Sequence, residues 1–298
     1  MAPGPSISTI LSHFLPPKAQ FTEKNLPDLT GKVYIVTGAN TGLGKEIARM
    51  LFAKNARVYV AARSENKTQK AIDDIKTSNV ESRGELRFLF LDLNDMDKIK
   101  AAVQVFLGQE QKLNVLYNNA GVMGSPQEPP MRTVQGYEQC LGVNGIGTFL
   151  FTQLLTPMLA ATARAEPPDS VRVVWVSSFG IEVSAQDSVG VSTENLDYHV
   201  PLPTVERYGI SKCASWALAV EYARRHRADG IVSVPLNPGN LRTELLRDQS
   251  MIFRRLVWLM SYPVVNGAYT QLYAGFSPDV TAGGVDWSRN WGKWEPVC

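Results

Sequence analysis

Lys32-Val33-Tyr34-Ile35-Val36-Thr37-Gly38-Ala39-Asn40-Thr41-Gly42-Leu43-Gly44-Lys45-Glu46 reads as strand, glycine turn and helix in immediate succession. The first five residues are a short β-rich run bounded by Gly31 and Gly38, which suits a buried parallel strand. Apolar residues at Leu43, Ile47, Met50 and Leu51 then take up helical spacing. Glycines let a backbone turn tightly and approach a pyrophosphate, and the unpaired N–H groups at a helix start supply donors and a positive dipole end. The spacing here is T-G-x-x-x-G-x-G, not the G-x-G-x-x-G of many dinucleotide sites.

Outward from this unit the same alternation repeats. Strand two, Arg57–Ala62, ends in Arg63-Ser64, and a helix is expected from about Ser64 to Lys76. Where this strand meets an adenosine ribose, an acid would select the 2′-hydroxyl and an arginine would accept a 2′-phosphate. The acid is missing and Arg63 is present, which predicts NADPH over NADH. Strand three, Glu85–Leu91, closes on Asp92-Leu93, where Asp92 can bond an adenine amino group or cap the following helix, Met96–Leu107. Strand four, Leu113–Tyr117, ends in Asn118-Asn119-Ala120-Gly121, small residues that leave room for a flat cofactor. A long helical stretch is expected from about Thr133 to Arg164, with Asn144 between glycines near its middle, a pattern that suggests a kink. Strand five, Val171–Val176, runs into Ser177-Ser178, and strand six, Gly230–Leu236, into Asn237-Pro238-Gly239. A seventh strand is expected within 283–291. The ladder predicts an α/β fold, a Rossmann-type doubly wound parallel sheet of about seven strands with helices on both faces, which binds its ligand beyond the carboxyl ends of the strands.

Composition limits the alternatives. The 298 residues show no linker or internal repeat, so a single domain, 31–298, is expected behind a proline-bearing lead-in, 1–30. Thirty basic and 28 acidic residues, mixed along the chain, give a net charge of +2 and no nucleic-acid footprint. Three cysteines, odd in number and unpaired in spacing, fit a reducing compartment, and three scattered histidines offer no metal-ligand spacing. No leader pattern is present, and the apolar run Phe149–Ala163 falls short of the ~18 residues of a spanning helix. A cytoplasmic protein with no transmembrane segment is expected.

Tyr208-Gly209-Ile210-Ser211-Lys212 opens a helix, and residues four apart share a helix face, so the Lys212 ammonium can sit near the Tyr208 phenol. A phenol titrates near ~10, and a neighbouring positive charge is expected to lower it toward a value useful at neutral pH. Cys213 beside them, with no histidine near it in sequence, is expected to be a packed helix residue.

Taken together, T-G-x-x-x-G-x-G at 37–44, N-N-A-G at 118–121, Asn144, Ser177-Ser178, Y-x-x-x-K at 208–212 and P-G-x-x-x-T at 238–243 resemble the short-chain dehydrogenase/reductase family, classical type, from about Thr30 to Ala274. The lead-in 21–30 and the run 237–241 look more narrowly like a fungal branch described as light-induced or retinol-dehydrogenase-like. The resemblance implies that Tyr208 is the general acid toward a carbonyl oxygen and that Ser178 bonds the same oxygen, with Ser177 an open substitute because the spacing to Tyr208 is long. It implies that Lys212 tunes Tyr208 and holds the nicotinamide ribose, and that Asn144 anchors a water. In the cofactor site it implies Gly38, Asn40, Gly42, Leu43 and Gly44 for the phosphates, Arg63 for the 2′-phosphate, and Asp92 and Leu93 for the adenine. Asn119, Ala120 and Gly121 would contact ribose, and Pro238, Gly239, Leu241 and Thr243 the nicotinamide and pyrophosphate.

The activity expected from this resemblance is NADPH-dependent reduction of a ketone or aldehyde on an apolar small molecule, an intermediate of secondary metabolism being one such substrate, with alcohol oxidation in reverse. A redox-neutral isomerase or cyclase and a non-catalytic NADP(H)-binding regulator are the competing readings. Residues 181–207 are expected to wall the substrate pocket. The family's lid falls at 243–262, an apolar segment with Arg254 and Arg255 that could close over substrate, dock a partner or lie on a membrane surface. Pairing of the Asn144 and Tyr208 helices across a homodimer, as in many relatives, is left open.

Overall fold

The computed structural model describes residues 18–124, 126, 129–181, 190–243, 245, 249, 251–259 and 261–285. Six parallel strands form the sheet: β1 (Val33–Thr37), β2 (Arg57–Ala62), β3 (Glu85–Phe90), β4 (Val115–Asn118), β5 (Arg172–Val176) and β6 (Val232–Leu236). Their order is β3-β2-β1-β4-β5-β6, so the winding reverses between β1 and β4. In such a sheet the crevice beyond the strand ends at that reversal is where ligands bind.

The strand sequences fit their places. β1 and β5 are buried at every position, as continuous apolar runs covered on both faces must be. β3, at one edge, leaves Phe90 partly exposed. Pro235, which cannot donate to a ladder, sits in β6 at the other edge. One face is covered by the helices Gly42–Ala53, Glu65–Ser78 and Val264–Phe276, through Ile47, Leu51, Ile72, Ile75 and Leu272. The other is covered by Met96–Leu107, Thr148–Ala165 and Thr204–His226, through Ile99, Phe106, Phe151, Leu155 and Tyr222. The doubly wound α/β architecture is therefore as the sequence predicts.

Four details differ. The sheet has six strands among the described residues, not seven: Val280–Thr281 and Gly284–Val285 pair antiparallel with each other as a separate hairpin, and 286–291 lie outside the described residues. The lead-in is not irregular throughout, because Thr22 caps a short 3₁₀ turn, Glu23–Asn25, and Leu26 and Leu29 enter the core.

The helix expected from Thr133 starts later. Gly136, at φ +86°, and a Thr133 hydroxyl accepting from Tyr137 N make a tight turn there. The helical run then opens as a π-type turn, Leu141–Gly147, which is the form the kink at Asn144 takes, and continues as Thr148–Ala165. Joined, Leu141–Ala165 is 25 residues, long and apolar enough by composition to cross a membrane, which the shorter run 149–163 was not. Phe151, Leu155 and Leu159 bury its inner face against the sheet.

Candidate active site

The switch point is built from the ends of β1 and β4. The Thr37 hydroxyl accepts from Asn119 N at 3.0 Å and from Ala120 N at 2.9 Å, and donates to Tyr117 O at 3.2 Å, so one side chain ties the two strand ends together. Gly38, at φ +66°, brings its backbone against Ala120, where a Cβ would lie 3.0 Å from Cα. At Gly44 a Cβ would come within 2.5 Å of Asn119 Nδ2 and 2.7 Å of Gly38 O. The helix that starts at Gly42 has no side-chain cap from Thr41, so its opening turn faces the crevice unblocked by its own sequence. A backbone cradle that side chains would fill, at a helix start, fits a dinucleotide pyrophosphate.

From here a cleft of about 500 Å³ runs along the strand ends. Apart from Asn144, every residue that the sequence motifs nominate lines it. At one end Arg63 follows β2, exposed and without an ion-pair partner among the described residues. Asp92 Oδ1 accepts from Asn94 N at 3.0 Å, while Asp95 caps the helix Met96–Leu107 by accepting from Asp97 N at 3.0 Å. Asp92 is therefore not the helix cap. Neighbouring Asn94 also lines the cleft, and its Oδ1 is buried without a hydrogen-bond partner among the described residues, which no sequence motif signalled.

Tyr208, Lys212 and Ser178 meet at the other end. Tyr208 lies in the second turn of the helix Thr204–His226 and is 8% exposed. Burial pushes its phenol up to about 12, and the neighbouring Ser178 hydroxyl opposes that rise. Lys212 is pushed down to about 8, also by burial. Its Nζ lies 5.9 Å from the Tyr208 ring centre and donates to Val176 O at 2.7 Å. The expectation that the ammonium draws the phenol toward neutrality is corrected: withdrawal from water dominates both groups.

The serine pair is resolved by what each hydroxyl touches. Ser177 Oγ donates to Lys212 O at 3.0 Å and is spent on holding the helix, whereas Ser178 Oγ lies beside the Tyr208 ring at Gly180. Asn144 stands behind the cleft. It donates to Val122 O at 2.8 Å and to Ser211 Oγ at 2.9 Å, and accepts from Val122 N at 2.8 Å. Ser211 in turn donates to Tyr208 O at 2.7 Å, so Asn144 joins the end of β4 to the helix that bears the tyrosine. At Gly121 a Cβ would lie 3.1 Å from Lys212 Nζ and 3.3 Å from Asn144 Oδ1, so a side chain there would crowd both groups.

Around the Tyr208–Ser178 pair the wall is apolar: Met123, Phe179, Val205, Leu245 and Val257. Val257 belongs to the helix Met251–Leu259, inside the expected lid. The stem of that segment is closed by a Leu241–Tyr262 bridge, and the Arg242 guanidinium stacks 4.4 Å from the Trp258 ring centre. Residues 244, 246–248, 250 and 260 of the lid, and 182–189 of the expected substrate loop, lie outside the described residues. The loop's described part folds back on itself, Asn195 exchanging two 2.9 Å bonds with Val200, and Arg207 donating to Leu202 O at 2.8 Å. Val205 falls within the expected substrate loop, and Leu245 and Val257 within the expected lid; Met123 and Phe179 had no role in the sequence reading, because apolar residues outside any motif carry no local signal.

A doubly wound parallel sheet with this cleft at its switch point defines a Rossmann-type fold. The chain belongs to the short-chain dehydrogenase/reductase family: the family's model, described as short chain dehydrogenase, matches residues 32–187. A short-chain dehydrogenase/reductase of Phomopsis amygdali is 51% identical over 297 residues, covering 98% of this chain and 87% of that one. Among solved structures, the RhlG/NADP active-site complex of Pseudomonas aeruginosa superposes with TM-score 0.64 at 22% identity, over 86% of this chain and 92% of that one. A 3-ketoacyl-(acyl-carrier-protein) reductase from Brucella melitensis, complexed with NADH, gives TM-score 0.64 at 22% identity, over 85% and 95%.

Proposed function

We propose that this protein is an NADPH-dependent carbonyl reductase acting on a ketone or aldehyde of an apolar small molecule, and on the corresponding alcohol in reverse. The observation that carries this reading is the convergence of the Tyr208 and Ser178 side chains beside Gly180, in the same cleft as the glycine turn. A nicotinamide dinucleotide, when bound, supplies the hydride. Tyr208 holds a proton on its phenol oxygen at any physiological pH and gives it to the substrate oxygen as negative charge develops there. Ser178 donates to that same oxygen and stabilises the charge. Lys212, beneath Tyr208 and beside Gly121, presents its ammonium to the ribose and to the spent phenolate. Asn144 keeps the tyrosine helix registered on β4 through Ser211. The apolar wall of Met123, Val205, Leu245 and Val257 excludes water and favours an uncharged substrate.

The solved neighbours are described with NADP and with NADH, so the choice of NADPH rests on Arg63 and on the lack of an acid at the end of β2. Arg63→Asp is expected to lower the ratio of NADPH to NADH efficiency at least about tenfold, the worth of one charge-assisted phosphate contact. An unchanged ratio would remove the assignment. The activity itself is tested by following NADPH consumption against a panel of apolar ketones and aldehydes. Net consumption matched by alcohol is the expected result. Product without net consumption would favour a redox-neutral enzyme, and binding without turnover a regulator.

A further inference from the structure

The helix Val264–Phe276 contributes nothing to the wall of the cleft, yet it presses on three segments that do or that lead into them. At Gly267 a Cβ would lie 2.3 Å from Leu241 Cδ1, 3.0 Å from Pro238 O and 3.2 Å from Leu43 Cδ1. At Gly275 it would lie 2.0 Å from Tyr117 Oη. Gln271 stands midway on the same helix face, four residues from each glycine, and is wholly buried. Its Nε2 donates to Asn119 Oδ1 at 2.8 Å.

The direction of that bond is fixed by the network. Asn119 Nδ2 donates to Thr37 O at 2.8 Å, so its oxygen must face the other way, and only an amide nitrogen on Gln271 can satisfy it. The arrangement leaves Gln271 Oε1 buried with no hydrogen-bond partner among the described residues. A side chain needed only for packing would avoid that penalty by being apolar. Asn119 Nδ2, held in this way, lies 2.5 Å from where a Cβ on Gly44 would be, in the first turn of the phosphate-facing helix.

We propose that Gln271 is a positioning residue for the dinucleotide: acting through Asn119, it holds the end of β4 against the glycine turn and so sets cofactor affinity. This rests on the dinucleotide reading above. The test compares wild type with Gln271→Met, which keeps the volume and removes the donor. NADPH dissociation constants come from fluorescence titration, kinetics from steady-state assays and folding from circular dichroism. In the folded variant the NADPH dissociation constant is expected to rise about tenfold, the effect of one lost buried hydrogen bond. Turnover at saturating cofactor and the substrate KM should stay within about twofold of wild type.

A dissociation constant within about twofold of wild type overturns the proposal, as does a parallel loss in cofactor binding, turnover and substrate KM, which would mean general loosening. Hydrogen–deuterium exchange on the wild-type protein gives a check that does not depend on the variant folding. Adding NADPH should slow amide exchange within 264–276 although that helix does not touch the cleft, and unchanged exchange there also overturns the proposal. Failure of the wild type to bind either NADPH or NADH would remove the dinucleotide reading and this proposal with it. Binding by the wild type, with Gln271→Met indistinguishable from it, removes this proposal alone.

Discussion

Tyr208→Phe is expected to lower kcat/KM for carbonyl reduction by about 10²–10⁴-fold, the usual contribution of a positioned general acid. NADPH binding should persist, because the phenol is one of many groups along the cleft and its ring, which packs against Met123 and Cys140, is retained. In the variant Ser178 Oγ still accepts from Gly180 N at 3.1 Å, so the serine is not released into the site. Ser178→Ala on the same assay would report the oxyanion contribution separately. Turnover unaffected by Tyr208→Phe would place the proton source elsewhere and defeat the mechanism.

Lys212→Met is the second large effect, and its signature is a pH profile. Burial holds the Lys212 ammonium down to about 8, so in the free enzyme the charge is present below that pH and is lost as pH rises through it. The pH dependence of kcat/KM reports free-enzyme ionisations, so reduction should be level below about pH 8 and decline above it. The phenol, at about 12, stays protonated throughout that range and contributes no second limb. In Lys212→Met, activity should fall by about 10²–10⁴-fold and the decline above pH 8 should vanish from what remains. A variant that keeps the wild-type decline would show that some other group titrates there.

What the sequence revealed and what it hid follow from the range of the forces involved. The glycine turn at 37–44 and the polar ends of the strands were visible because each is a local demand on the backbone: a positive φ at Gly38 and Gly42, or a strand that must stop at a crevice. The parallel, doubly wound character of the sheet followed from the alternation of strands with helices, whereas the strand order is set by tertiary packing. Among the described residues no seventh strand joins the sheet: Gly284 and Val285 pair antiparallel with Val280–Thr281, two residues upstream, instead of at the sheet edge. Ser177 and Ser178 could not be told apart in one dimension: consecutive residues at a strand end point to opposite sides, and only the position of the Tyr208 helix decides which one meets the phenol.

Tertiary contacts account for the rest. Asp92 and Asp95 are equally good helix caps by residue type, and the fold gave the cap to Asp95 and a turn to Asp92. Gln271 sits 152 residues from Asn119, in a stretch that reads as an ordinary apolar helix, and its role depends on a contact no pattern announces. The lysine's influence on Tyr208 was overestimated from spacing alone, since helical proximity says nothing of how thoroughly both groups are removed from water.

Incubating the wild-type protein with an apolar ketone and NADPH deuterated at the transferable nicotinamide position, then locating the label by mass spectrometry, tests hydride transfer itself. One deuterium on the carbinol carbon of the product alcohol is the predicted result. Product that carries no deuterium, with the label still on the dinucleotide, would contradict it.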